Sequence, residues 1–434
     1  MKRHAYYSLL SWKSSKGRKP LILQGARQVG KTYLMREFGA SEFKQTAYFN
    51  FESQPDLGKI FEKELSPKKI ISSLKLVSNV LIEPEDTLII FDEIQSCPQA
   101  ITSLKYFCEQ APEYPIIAAG SLLGVAIHRG VSFPVGKVDF LTLHPFDFIE
   151  FLMATQNEKW AQLIMSCDWE QQEIVSPELI GLLKTYMVVG GMPEVAVTYG
   201  DSLDLKKARL IQSSILQAYE NDFSKHAPIG QLPRIRMIWQ SIVGQLAKEN
   251  SKFIYSLMRS GARAKEFELA LEWLREAGLI VKVTRINKAN WPLNAYAVWQ
   301  DFKVFIHDCG LLGALAQVPP AIILEDDKLF TEFRGMLAEQ FALQQLAACG
   351  VQLYYWRPDN AEAEVDFVMP INGQIIPLEI KSSENVRSRS LNVYYQNHHP
   401  DTCIRASLRP YKHQQWMENI PLYGLIGWLK STHE

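Results

Sequence analysis

The residues best equipped for chemistry lie in the first hundred or so positions. Gly25-Ala26-Arg27-Gln28-Val29-Gly30-Lys31-Thr32 has the spacing of a loop that wraps a phosphate chain. Its glycines let backbone N–H groups turn inward, its lysine reaches the outer phosphates, and its threonine hydroxyl is placed to ligate Mg²⁺. The run Thr87-Leu-Ile-Ile-Phe91 then ends in Asp92-Glu93. Two carboxylates at the end of an apolar strand supply a second half of the same site, with Asp92 holding Mg²⁺ through water and Glu93 polarising an attacking water. Ser121 follows the run 116–120 and is expected either to touch the outer phosphate or that water, or to be an ordinary turn serine. Together these residues predict ATP and Mg²⁺ as ligands, and hydrolysis as the reaction.

A second constellation lies toward the other end. Asp366 sits in the apolar run 365–369, and Glu379-Ile380-Lys381 ends the next run. Strand alternation puts Glu379 and Lys381 on one face. Two carboxylates with a lysine form a compact site for a second Mg²⁺, the lysine orienting or deprotonating water and steadying a pentavalent phosphate. Glu339, on a preceding helix, adds a further carboxylate. The plain alternative is an exposed cross-strand ion pair. Downstream, Arg387, Arg389, Arg405, Arg409 and Lys412 outnumber Glu384 and Asp401. Such a stretch either tracks a phosphate backbone or is a solvated charged face. Trp356, Tyr394 and Tyr395 offer stacking surfaces or belong to a core.

Positioning these groups requires several elements. Short apolar runs at 21–23, 48–51, 88–91, 116–119 and 138–143, separated by helical segments, predict an α/β domain with a buried parallel sheet over residues 1–145. Helical periodicity over 146–228, broken by Gly190-Gly191-Met192-Pro193, predicts a helical lid or connector. Residues 229–325 read as three helices followed by strands at 279–286 and 295–299, a winged helix-turn-helix or a small helical domain with no nucleic acid. Residues 326–434 read as a separate terminal α/β domain with a hairpin at Asn372-Gly373.

Bulk properties agree with this division. A chain of 434 residues is too long for one ordinary core. Lys plus Arg (46) nearly cancels Asp plus Glu (47), so any surface for a polyanion must be local. Six scattered cysteines form no zinc or redox pattern, and no apolar run reaches membrane-spanning length, so a soluble cytoplasmic protein is expected.

The phosphate loop, the Asp-Glu pair, Ala119-Gly120-Ser121, His144-Pro145-Phe146 with Glu150-Phe151, and Gly190-Gly191-Met192-Pro193-Glu194 resemble the AAA-type ATPases of bacteria and archaea that carry a C-terminal domain of unknown function. That resemblance implies a homo-oligomeric ATPase of the AAA+ class. Arg129 and Lys137 are expected either to supply transition-state charge across a subunit interface or to be solvated surface residues, and this chain departs from that group in having Gly136-Lys137 where a Gly-Arg pair often stands. The ordered set Glu339, Asp366, Glu379 and Lys381 resembles the PD-(D/E)XK nucleases, with Val365 where proline often precedes the aspartate. A restriction-endonuclease-like terminal fold is thereby implied. The expected function is ATP turnover coupled to DNA binding or processing. The alternative is an ATP-switched regulator or scaffold whose inactive nuclease-like domain binds a protein partner. A metabolic kinase is disfavoured, because helical, winged and nuclease-like segments follow the loop where an acceptor pocket would be expected.

Overall fold

A computed structural model describes residues 3–62, 64–120, 133–248, 252–325, 331–359, 363–382 and 388–433. The chain divides into two compact units, residues 1–144 with 276–278, and residues 145–275 with 279–434. Among the described residues, no helix is long and apolar enough to cross a membrane.

The first unit holds β1 (Leu21–Gln24), β2 (Gln45–Asn50), β3 (Thr87–Asp92), β4 (Ile116–Ala119) and β5 (Asp139–Thr142). They form one sheet in the order β2-β3-β4-β1-β5 with every pairing parallel. Residues of β3 and β4 are buried throughout, as expected of strands covered on both faces. One core cluster joins Ile22, Ile89 and Phe91 of the sheet to Ile101, Leu104 and Phe107 of the helix Pro98–Gln110. Phe91 meets Phe51 and Phe61 edge-on at 5.6 and 5.8 Å. The predicted parallel α/β sheet is therefore present, and its strand order matters for chemistry. Because β4 lies between β1 and β3, the loop leaving β1 and the carboxylates ending β3 flank the end of β4. All the strands run the same way, so these ends share the edge where open α/β sheets bind ligands.

The second unit combines helices with β6 (Ile280–Ile286), β7 (Ala297–Ile306), β8 (Tyr354–Trp356), β9 (Val365–Ile371), β10 (Gln374–Ile380), β11 (Ile404–Ser407), β12 (Lys412–His413) and β13 (Glu418–Pro421). They make one mixed sheet, ordered β12-β13-β11-β10-β9-β8-β6-β7. Here the structure corrects the sequence reading. The strands expected as the wing of a module ending at residue 325 are the edge of the sheet that carries Asp366 and Glu379, because β6 pairs with β8 in parallel, Thr284 opposite Tyr354. The reason is burial: Val283, Ile286, Phe305 and Ile306 are fully buried, and Phe305 packs on Phe367 at 6.0 Å. A free-standing wing would leave that surface in water. The second of the three expected helices is only the 3₁₀ turn Tyr255–Leu257. The Asn372-Gly373 hairpin is present, with φ of 48° and 78° as a two-residue primed turn needs.

Gly190-Gly191 marks a junction of backbones. A Cβ on Gly190 would lie 2.3 Å from Asp308 Oδ1, and one on Gly191 would lie 2.1 Å from the Phe146 carbonyl oxygen. Only glycine permits the Gly191 N–H to donate to the buried Asp308 carboxylate at 2.6 Å while its carbonyl accepts from Phe146 N at 2.6 Å. Trp356 and Tyr394 are fully buried and pack edge-on at 5.1 Å, which places both in the core.

Candidate functional site

The loop from Gly25 to Gly30 is built from backbone conformations that few residue types adopt. Gly25, Gln28 and Gly30 have φ of 139°, 65° and 93°. Alternation of that kind turns successive N–H groups to one side and forms an anion cradle. A side chain at Gly25 is excluded, since a Cβ would stand 2.2 Å from the Leu143 carbonyl oxygen. Gly30 then starts the helix Lys31–Glu42, which buries Leu34, Met35 and Phe38 and so aims its N-terminus at the cradle.

Lys31 lies inside the loop, its ammonium donating to the carbonyls of Gly25 at 2.8 Å and Ala26 at 2.7 Å. Burial lowers its pKa to about 8, against the opposing pull of Glu93 and Asp92 and with Arg27 adding repulsion. Thr32 Oγ1 donates to Asp92 Oδ2 at 2.8 Å, which puts a hydroxyl and a carboxylate side by side at the end of the cradle. That pair fits Mg²⁺, an ion that takes one or two protein oxygens and completes its shell with water and phosphate. Glu93 follows in the left-handed region, φ 51°, and its carboxylate accepts from the Gln95 amide.

Two further residues complete this site, and sequence reasoning passed over both. Tyr48 donates its hydroxyl to Asp92 Oδ2 at 2.6 Å while Arg36 stacks 4.0 Å from its ring centroid. Polar Tyr48 and Asn50 alternate with buried Ala47 and Phe49 along β2, and Asn50 pairs with Asp92 in register; that alternation was the available signal. Arg3 donates to the Val29 carbonyl at 3.0 Å and to the His144 carbonyl at 2.6 Å, tying the loop to the chain after β5. Burial, with Arg3 adjacent, pushes the His144 imidazole down to about 4, so it stays neutral beside that guanidinium. No local motif announces Arg3.

Ser121 and Arg129 lie outside the described residues. Lys137 precedes β5, which puts it at the amino-terminal edge of the sheet, away from the loop that follows β1, and it pairs with Glu109 at 3.0 Å.

The state of Lys31 gives a pH expectation. Phosphates favour the charged ammonium, so binding raises a pKa that stands at about 8 in the empty loop. Affinity for a non-hydrolysable ATP analogue should hold steady up to about pH 7.5 and then fall by as much as about tenfold per pH unit above 8. Titration calorimetry across that range tests it. Lys31→Arg, whose cation does not titrate there, should remove the slope, and a flat profile in the original protein would refute the assignment.

At the second constellation, the Asp366 carboxylate accepts from Ile380 N at 2.7 Å, and Lys381 pairs with Glu379 at 2.9 Å. Glu379 is buried, and its Oε2 has no hydrogen-bond partner. Asp366 is pushed up to about 8 by burial first and then by Glu339. Among these groups lies a cation that the sequence reading did not foresee. Lys303 of β7, only 1% exposed, sits 2.7 Å from Glu364 and 3.5 Å from Glu339. Burial opposes its charge, but Glu339, Glu364 and Asp366 outweigh that effect and its pKa is raised. Among the described residues, no group of three His, Cys, Asp or Glu side chains is arranged to hold a metal ion. The expected Mg²⁺ set of Glu339, Asp366 and Glu379 does not fit the ion in this arrangement, because the Lys303 ammonium engages Glu339 and compensates its neighbours.

The first sheet and its loop define a P-loop nucleotide-binding protein. Residues 17–152 match the family described as an AAA domain. Residues 180–321 and 334–425 match two families described as domains of unknown function, DUF8612 and DUF4143. No curated protein matches the chain. Among solved structures, the Walker-type ATPase PABY2304 of Pyrococcus abyssi is 16% identical, with 73% of this chain and 95% of that chain covered and a TM-score of 0.44. The ORC1 protein of Aeropyrum pernix, solved in complex with DNA, is 13% identical over 74% of this chain and 92% of that one, with a TM-score of 0.30.

Proposed function

We propose that this chain is a Mg²⁺-dependent ATP-hydrolysing protein of the AAA+ class, active as a homo-oligomer, that couples turnover to DNA contact by its second unit. The observation that carries the reading is the assembly of Lys31, Thr32 and Asp92 at one sheet edge, with Glu93 next in the chain. Lys31 exchanges the carbonyls of Gly25 and Ala26 for the outer phosphates. Glu93 takes a proton from the attacking water, and Ser121 orients that water or the outer phosphate. Thr32 and Asp92 would hold Mg²⁺, which when bound would supply neutralisation of phosphate charge.

Charge argues for placing the DNA contact away from the helix Ala264–Glu276, where a winged module would read a groove. That helix carries Glu266, Glu268, Glu272 and Glu276 against Lys265 and Arg275, a balance that repels a phosphate backbone. Arg389, Arg405, Arg409 and Lys412 are the better candidates.

A second reading is favoured by one observation, the buried Lys303 among the terminal carboxylates. In it Glu339, Asp366, Glu379 and Lys381 stabilise a nuclease-like fold that binds a partner and cuts nothing, and the protein is an ATP-switched regulator or scaffold.

Steady-state ATPase assays with and without duplex and single-stranded DNA test the first reading, beside Mg²⁺-dependent nicking of supercoiled plasmid. Turnover above that of Lys31→Ala and stimulation by DNA are expected. Turnover no greater than in Lys31→Ala would end the ATPase reading, and indifference to every DNA form would end the coupling. Nicking that disappears in Asp366→Asn would overturn the non-cutting reading.

A further inference from the structure

The second unit contains a cavity of about 640 Å³ that neither constellation uses. Among the described residues of its wall, Arg389, Arg405, Arg409 and Lys412 stand with one acid, Glu173, while Glu379 acts on Arg405 from the neighbouring strand. Ser388, Asn392 and Gln414 add polar atoms to its wall, and half-buried Trp416 adds a flat apolar one.

Its floor is built, not a chance meeting of flexible side chains. Arg405 is 6% exposed, and Asn419 Oδ1 accepts from its Nε at 2.8 Å while Ser388 Oγ accepts from Nη1 at 3.5 Å. The same Asn419 donates its amide to the carbonyls of Arg409 at 3.1 Å and Pro410 at 2.8 Å, and accepts from Ser407 Oγ at 2.7 Å. One buried asparagine thus fixes both the guanidinium of Arg405 and the loop from which Arg409 projects. The helix Arg389–His398 opens at the wall, so its unsatisfied N–H groups add partial positive charge.

We propose that this cavity is a second phosphate site, distinct from the loop at Gly25–Thr32, and that it takes a terminal phosphate monoester of a nucleotide. Three features select that chemistry. Four cations against Glu173 on the wall and Glu379 beside Arg405 leave an excess of positive charge that suits a dianion better than the single charge of a mid-strand phosphodiester. Guanidinium forks match phosphate oxygens in paired hydrogen bonds. Half-buried Trp416 offers a face on which the attached base can stack. The ligand is therefore a free mononucleotide or the phosphorylated end of a strand. The inference does not depend on the ATPase reading, and it narrows the DNA contact given above to these four side chains to a phosphorylated strand end or replaces it with a free nucleotide.

The test uses the full chain carrying Lys31→Ala, so that the first loop does not compete. Binding of AMP and of matched single-stranded octamers with 5′-phosphate or 5′-hydroxyl ends is measured by calorimetry and anisotropy. The phosphorylated ligand should bind at least about tenfold more tightly than the hydroxyl one, and adding Arg389→Ala or Arg409→Ala, both at exposed positions, should remove about tenfold each. Binding of AMP alone assigns the site to a free nucleotide, and binding of the phosphorylated octamer alone assigns it to a strand end. Detectable and equal binding of both octamers, absence of any phosphate-dependent binding, or full retention in both variants would overturn the proposal.

Discussion

Glu93→Gln is expected to lower ATP turnover by about 10²–10⁴-fold, the usual contribution of a positioned general base, while nucleotide binding persists. The separation of effects follows from where each group stands. Lys31, Thr32 and Asp92 are linked by short hydrogen bonds to the loop and to one another, so they act on the nucleotide itself. Glu93 stands one residue beyond, with its backbone N–H donating to Asp92 Oδ1 at 3.0 Å and its side chain turned to Gln95. Glutamine keeps the size and can still meet Gln95, but it cannot accept a proton from water. The variant should therefore accumulate with ATP bound, whereas Lys31→Ala should fail to retain it. Rapid-filtration measurement of bound ATP against ADP reads this directly. Glu93→Gln turning over at the original rate would transfer the base to another residue.

The two constellations were unequally legible in the sequence. The nucleotide site is local: one loop supplies the cradle, the cation and the hydroxyl, and a continuous apolar run ends in the acids, so spacing alone carries the chemistry. What the spacing missed are groups that reach in from elsewhere. Arg3 acts through two carbonyl oxygens distant in sequence, and Tyr48 reads as part of an apolar run until β2 is aligned beside β3. The terminal cluster is the opposite case. Asp366, Glu379 and Lys381 were visible as a pattern, but the cation beside them comes from β7, which the sequence assigned to another module. A strand pairing between β6 and β8 decides which charges meet, and no short window of sequence encodes it. Likewise the glycines at 190 and 191 read as a break in a helical region, although their role is to let Phe146 and Asp308 approach.

That long-range cation sets the other large expectation. Lys303→Met should destabilise the second unit by about 3–5 kcal/mol, the range for removing one partner of a buried charge group. The lost ammonium leaves Glu339, Glu364, Asp366 and Glu379 with Lys381 as the remaining lysine beside them. Asp366→Asn should cost much less, about 1 kcal/mol or below. Its carboxyl is pushed up to about 8 by burial and then by Glu339, so it is largely neutral at pH 7, and asparagine can still accept from Ile380 N. The pH dependence separates the two variants. A carboxyl raised in the folded state contributes stability fully below its unfolded pKa and loses it as pH rises through the folded value. For Asp366 the loss runs from about 4 to about 8, and Asp366→Asn should flatten that part of the profile. In Lys303→Met the Asp366 carboxyl loses a charge that holds it down and is raised further, so the deficit should shrink as pH falls below about 8. Denaturant midpoints measured across this range decide the matter. A Lys303→Met variant as stable as the original, or equally weakened at every pH, would show that Lys303 does not hold these carboxylates together.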